Sequence, residues 1–549
     1  MDIKPTETIV VHLGSLYLRV GFANQMQPYT IPNVIAYRQP GTQLQSALPP
    51  CDAETLFKAY SMVQNYLQST GFLKDHIPKI VLPKKKSKSK RNASDMQIEE
   101  ENEGESETAL EPLPRRTEAS HNPPYLVGDE AYNLGPGEPY IKHWPILRGH
   151  FNISQSQSLR TVISDLERIL EYTVVRILRI PREMFHQFSV VLIIPDAFYK
   201  EQVKALVDIL LRTLGFRSIF LHQESVSAIF GAGVPSACVV DIGASHINVI
   251  CIDEGVINPK THVRQFYAGR DIDILLMRVL IRPDADGLDQ LRIVETLKKE
   301  ACRFFQQENS ITYACSSESG LLRVNSNNPA LIVGAHSLFH TSLLEISSGP
   351  PKIPLVLHPA FSYDTDDYLD DLVETKLESP THPVVDKVLS LDQMIIRSIS
   401  AYDQADARKK MANCILLTGG GGMFPDIVDI LEDRLINRFP EDAGVDRVEV
   451  KASVTHSDSD GNKEHIKPDH LMWVGGTVIP NLDSAKELWI TKSRWIGEWQ
   501  PTEAKEELMA NFVSFENPHQ LTEMCRKWRR DRPLEGGVRH IKEKCNFFW

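Results

Sequence analysis

The chain has 549 residues, past the length at which one hydrophobic core stops growing, so at least two core-bearing lobes are expected. Hydrophobic residues make up 42%, but the apolar runs are only strand-length and propose no membrane span, and the polar opening lacks the layout of a secretory signal, so an intracellular protein is expected. A net charge of -12 argues against a uniformly DNA-coating surface, and eight scattered cysteines with no C-x-x-C pair read as reduced thiols, mostly core, rather than a zinc site or disulfide framework.

The first predicted element is the apolar run Ile9-Val10-Val11-His12-Leu13, which turns at Gly14-Ser15 and returns through residues 16–22 as a second strand. Leu56, Tyr60, Val63, Tyr66 and Leu67 share one face at helical spacing. A low-complexity charged stretch follows, with Lys84, Lys85, Lys86, Lys88, Lys90 and Arg91 and then a glutamate run; residues 84–115 are expected to be partly disordered. The basic run fits a nuclear-import signal, a nucleic-acid tether or a solvated loop. Residues 189–194 read as a strand closed by Pro195, and Val203, Leu206, Val207, Leu210, Leu211 and Leu214 as an amphipathic helix stopped by Gly215.

The opening hairpin recurs as Cys238-Val239-Val240-Asp241-Ile242-Gly243-Ala244-Ser245, returning through residues 246–252. A glycine in such a turn lets backbone N–H groups converge on a phosphate, which a Cβ would block. Gly14 or Gly243 taken singly is equally well a tight hairpin. Two such turns in one chain point to a duplicated domain and a grip from both sides. Residues 364–374 are acidic and are expected to form a further excursion. After it comes a strand, residues 415–418, then the run Gly419-Gly420-Gly421-Gly422 and a helical pattern at Ile427, Ile430, Leu431 and Leu435. A strand, glycines and a helix N-terminus can seat a nucleotide, though glycine runs also serve as plain loops. Near the end, Arg526-Lys527-Trp528-Arg529-Arg530 could meet DNA or an acidic partner, or pack its stems on the protein's own surface.

Taken in order, these elements resemble the actin superfamily over nearly the whole chain. The two hairpins look like its phosphate loops and residues 418–425 like its adenosine motif; Tyr125-Leu126-Val127-Gly128-Asp129-Glu130-Ala131, Ala268-Gly269-Arg270-Asp271, Trp473-Val474-Gly475-Gly476 and Leu488-Trp489-Ile490-Thr491-Lys492 are similar to further actin segments. Val11-His12-Leu13-Gly14-Ser15, His143-Trp144-Pro145-Ile146, His222-Gln223-Glu224-Ser225-Val226 and the glycine run resemble the actin-related protein 8 family, nuclear subunits of Ino-eighty chromatin remodellers. The resemblance implies an α/β fold, actin-like, with duplicated domains around a central nucleotide cleft, and roles in transcription and DNA repair. It divides the chain into a first hairpin (1–36), an insertion (37–124) where actins carry a filament-contact loop, the rest of domain I (125–235), domain II (236–470) with an acidic insertion near 362–380, a return to domain I (471–500), a C-terminal insertion (501–535) and a tail (536–549). The bulk at 37–124 should obstruct filament packing.

The resemblance also implies that Gly14, Ser15, Arg19, Gln223, Asp241, Ile242, Gly243, Ala244, Lys298, Gly419, Gly420, Gly421, Met423 and Phe424 bind the nucleotide. Magnesium is expected only through water near Asp241, and no catalytic residue is assigned. Actins organise the magnesium and attacking waters with two aspartates and a glutamine, whereas here His12 stands at the first aspartate. Ala244 and Ser245 replace Asp-Gly, Arg19 replaces a lysine, and Lys299 stands where a glutamate is usual. A neutral imidazole is a poor partner for hydrated Mg²⁺, so ATP binding should survive better than hydrolysis. Ile229, Val478, Ile479, Leu482 and Leu488 map to the actin partner groove, which would take a helix of a remodeller motor subunit; nuclear actin and other actin-related subunits are the further partners implied. The family's long extension before the first strand is short here, so nucleosome or DNA contact is expected through the complex. A kinase or chaperone of the same fold would need a carboxylate base or a peptide-binding domain, and neither is read; a cytoplasmic filament relative is disfavoured by the insertion and the basic run.

Overall fold

The computed structural model describes residues 3–39, 61, 106–109, 117, 123–135, 138–153, 158–280, 287–304, 311–317, 320–326, 328–344, 388–457 and 463–498. The basic run at Lys84 to Arg91, almost all of the helix proposed around Leu56, the acidic excursion and the C-terminal insertion with its Trp528 lie outside them.

One sheet is built from β1 (Thr8–Leu13), β2 (Tyr17–Phe22), β3 (Tyr29–Pro32), β4 (Ser189–Ile194) and β5 (Ser218–Gln223), in the order β5-β4-β1-β2-β3, with the short strand Ile490–Thr491 at its β5 edge. The hairpin β1-β2 is antiparallel, while β4 and β5 run parallel to β1. Strands buried on both faces need continuous apolar runs, and β1, β4 and β5 are buried at every position.

A second sheet repeats the plan with β6 (Ala237–Ile242), β7 (Ile247–Asp253), β8 (Val256–Ile257), β9 (Val263–Gln265), β10 (Ile415–Thr418) and β11 (Val450–Lys451). An antiparallel hairpin β6-β7 is again flanked by parallel strands, β10 against β6 and β11 against β10, and β9 pairs with β7 as β3 pairs with β2. Each sheet has its own core, the first around Val11, Leu166 and Leu192, the second around Val240, Leu276 and Leu417.

Helices fill the faces. α1 (Leu159–Tyr172) buries Val162, Leu166, Ile169 and Leu170, and Ser158 caps it by accepting the Thr161 N–H. The helix expected over 203–214 forms as Lys200–Asp208 and finishes in a π-type turn, Ile209–Thr213, before Gly215 at φ +85°. α2 (Glu224–Ala232) and α3 (Leu471–Val478) cross where the two lobes meet. A Cβ on Gly475 would lie 1.7 Å from the Ser227 carbonyl oxygen and one on Gly231 2.2 Å from that of Leu471, so only glycine admits this approach. The Ser227 hydroxyl donates to the Met472 carbonyl across the same contact, 2.6 Å.

Part of the stretch read as disordered, Ser106–Ala109, forms a strand that adds in parallel to Ile311–Ser317. Such pairing uses backbone groups and requires no apolar alternation, so composition could not reveal it. The glycine run leads through a 3-10 turn, Gly420–Met423, into the helix Ile427–Arg438, which buries Ile427, Ile430, Leu431 and Leu435 as their spacing predicts. Among the cysteines, Cys238, Cys251 and Cys302 are buried and Cys414 is half-buried, all four as free thiols. No helix among the described residues is long and apolar enough to cross a membrane.

Candidate functional site

The equivalent turns β1-β2 and β6-β7 face one another across the lobe boundary. Gly14 N–H bonds the Tyr17 carbonyl (3.0 Å) and Gly243 N–H the His246 carbonyl (3.1 Å), which closes both turns in the same way. A Cβ on Gly14 would come within 2.7 Å of the Tyr17 oxygen, so the first turn requires glycine. Between the turns the Ser245 hydroxyl donates to that of Ser15 at 2.8 Å, and the Arg148 N–H donates to Ser245 at 2.9 Å. Both serines are buried.

The glycine run closes the base of the cleft. Gly419 takes φ +77°, and a Cβ there would lie 2.5 Å from Asp241 Oδ1; a Cβ on Gly421 would collide with Ile242 at 2.1 Å. These two glycines let the loop lie against the β6 end. Gly420 differs: its φ is ordinary, and a Cβ would meet nothing within 4 Å. Neither packing nor backbone geometry in this chain demands glycine at 420, while a ligand resting on the backbone would use that room. Phe424 is buried behind the loop and Met423 is exposed, 45%.

Behind the turns, sequence-distant residues assemble into a buried polar cluster. His12 at the end of β1 lies with Nε2 3.1 Å from Glu224 Oε1, and burial together with the Arg19 charge holds its pKa down at about 3, so the neutral ring donates from Nε2. Asp196 accepts from the Ser225 N–H (3.0 Å), the Ser225 hydroxyl (2.5 Å) and the Asn248 amide (2.7 Å). Burial and then the Glu224 charge push Asp196 up to about 7; burial also raises Glu224, and burial with Glu224 beside it raises Asp241. Arg264 lies half-buried nearby, but its Nη atoms donate to the carbonyls of Ala197 (3.3 Å) and Arg148 (2.7 Å). The Gln223 amide nitrogen donates to the Asp196 carbonyl at 3.3 Å, and its oxygen is buried without a partner.

The remaining proposed nucleotide residues are dispersed around this core. Arg19 pairs with Asp469 at 3.3 Å. Lys298 is 2.6 Å from Asp273 Oδ1 and donates to the Gly269 carbonyl at 2.9 Å, so its charge is already met by protein groups. Lys299 lies 5.5 Å from the Tyr17 ring. Ala244 accepts from the Arg270 N–H at 2.7 Å, and the Arg270 guanidinium stacks on Trp144 at 4.3 Å. Sequence reading did not single out Asp196, His246 or Arg264; each is a polar residue within or next to an apolar run, and that is the one signal that could have flagged them.

Of the proposed groove residues, Ile229 and Ile479 are buried in cores at 1% and 0% exposure, so they are not available to a docking partner; Val478, Leu482 and Leu488 are half-buried. Trp473 of α3 and Ile479 just after it pack into the core with Val10 and Val191, and the Trp473 indole N–H donates to the Val10 carbonyl at 3.1 Å.

Two sheets of the same order, facing glycine turns and a crossing helix pair define an actin-type nucleotide-binding fold. The actin family model matches residues 3–316 and 336–498, and the chain belongs to the actin family. It is 27% identical to actin-related protein 9 of Arabidopsis thaliana, over 89% of this chain and 90% of that protein, and 26% identical to actin-related protein 8 of Danio rerio with the same coverage. Among solved structures it resembles human actin-related protein Arp8 in its ATP-bound state, with a TM-score of 0.69 and 26% identity over 90% of this chain and 95% of that one.

Proposed function

We propose that this chain is a nuclear, non-polymerising actin-related subunit of a chromatin-remodelling assembly, which holds ATP in its cleft, hydrolyses it slowly at most, and serves as a scaffold. The observation that carries the reading is the pair of apposed turns, Ser15 against Ser245 at 2.8 Å, above a glycine loop whose Gly420 backbone is open to a ligand. The phosphates would rest on the turn backbones at Gly14, Ser15, Gly243 and Ala244 with Arg19 beside them, and the adenosine on Gly419 to Phe424 near Lys298. The Gly14 and Gly243 N–H groups already close the turns onto the Tyr17 and His246 carbonyls, so a nucleotide would draw on the neighbouring backbone N–H groups of the turns.

Slow turnover follows from how the water-organising groups are engaged. His12 is tied to Glu224, and the Gln223 amide nitrogen is spent on the Asp196 carbonyl. Orienting an attacking water would require both bonds to open. A fluorescent ATP analogue should bind saturably while phosphate release stays near background; absence of saturable binding would overturn the cleft reading.

The scaffold role rests on the relatedness to actin-related proteins 8 and 9 and on the half-buried apolar residues Val478, Leu482 and Leu488, which suit a helix from the remodeller's motor subunit. Nuclear actin and other actin-related subunits are the further expected partners, with nucleosomal DNA reached through the complex. Affinity purification of the full chain from nuclear extract should recover a motor subunit and actin. Recovery with filament or microtubule machinery instead would sink the assignment.

A further inference from the structure

Glu224 at the start of α2, Asp241 near the end of β6 and His246 in the turn before β7 bring their donor atoms within 4.8 Å of one another, and all three are buried. The chain's own bonds do not account for this grouping. His246 is 7% exposed, and its Nδ1 has no hydrogen-bond partner. Glu224 receives a neutral imidazole N–H from His12, and Asp241 only a 3.4 Å contact from the Thr418 hydroxyl. The nearby half-buried cation, Arg264, directs its Nη atoms to the Ala197 and Arg148 carbonyls rather than to either carboxylate. Arg264 acts on Glu224 and Arg19 on Asp241 only through space, so two buried carboxylates beside an open imidazole nitrogen have no directly bonded cation, and a divalent ion would ligate both.

We propose that Glu224, Asp241 and His246 form a protein-ligated site for one divalent d-block cation of the zinc class, filled independently of nucleotide. An imidazole with two carboxylates suits Zn²⁺ and leaves a fourth position for water, whereas Mg²⁺ prefers all-oxygen octahedral shells and keeps its water. Zinc bound at roughly 2.0–2.2 Å from each donor brings tetrahedral donors to about 3.5 Å apart, so side-chain rotations of about an ångström complete the shell. His12, donating to Glu224 Oε1, is a positioning residue that orients this carboxylate. The site differs from the magnesium expected near Asp241, which would arrive with a nucleotide and touch the protein through water.

The test uses the full chain, stripped with chelator and titrated with Co²⁺ in nucleotide-free buffer. The expected result is saturable uptake of a single equivalent, with a visible absorption band that Zn²⁺ abolishes, and a thermal midpoint that rises with Zn²⁺ and falls back with chelator. Glu224→Gln and His246→Asn should each weaken cobalt uptake more than about tenfold. No saturable uptake without nucleotide, or uptake unchanged in both variants, overturns the proposal. If either variant fails to fold, the chelator-reversible midpoint of the unaltered protein decides. Binding of the fluorescent ATP analogue in chelator, read separately, reports on the nucleotide cleft alone.

Discussion

At position 12 a neutral imidazole sits 3.1 Å from the Glu224 carboxylate, where an aspartate would place a second buried negative charge beside the first. In metal-stripped protein, His12→Asp should therefore cost about 3–5 kcal/mol of unfolding free energy, and it should not restore hydrolysis, because Glu224 keeps the new carboxylate from organising water freely. Adding Glu224→Gln should recover most of that loss, since the repulsion needs both charges. Urea unfolding of the single and double variants measures the coupling; a single variant as stable as the parent would disprove the account. His12 was legible in the sequence because it interrupts a run of β-branched and leucine residues just before a glycine turn. Its partner was not: Glu224 lies 212 residues away, and only the fold brings α2 beneath the β1 end.

Among the elements, the α2–α3 crossing carries the junction between lobes, and its closeness is set by two missing side chains. Gly475→Ala would drive a methyl to 1.7 Å from the Ser227 carbonyl, in a helix that cannot retreat without opening the Ser227–Met472 bond. A loss above about 4 kcal/mol, or no folded protein, is expected. Gly233→Ala serves as the comparison: Gly233 has φ +65° at the end of α2 but nothing within 4 Å of a would-be Cβ, so only backbone strain of about 1–2 kcal/mol is at stake. Thermal unfolding of both variants should rank them in that order, and equal effects would show that the crossing tolerates separation. The hairpins could be read because continuous apolar runs meet at a glycine turn, and the helix before Gly215 because its apolar positions recur at helical spacing. The Ser106–Ala109 strand and the 3-10 turn at Gly420–Met423 could not, since backbone pairing to a distant strand in one case and loop geometry in the other leave no periodic trace.

Across the whole molecule, duplication of the sheet gives two cores whose polar interiors are unlike. The first lobe and the cleft hold the carboxylate cluster, while the second lobe buries His336 among apolar side chains, its ring edge-on to Phe304 at 5.6 Å and its Nε2 donating to the Phe304 carbonyl at 2.9 Å. Burial is the main cause that lowers this imidazole to about 4, against a carbonyl bond that raises it and His340 nearby, which lowers it further. The unfolded chain, with an ordinary histidine pKa of about 6.5, takes up the proton first as pH falls. The contribution of His336 to stability is therefore complete above about pH 6.5 and drains away as pH drops toward about 4, by about 3 kcal/mol in all. Urea midpoints between about pH 7.5 and pH 5 should fall in the parent protein, and His336→Gln, which keeps an N–H donor but cannot titrate, should flatten that slope even where it lowers stability at neutral pH. Parallel pH profiles for parent and variant would remove His336 as a source of acid sensitivity.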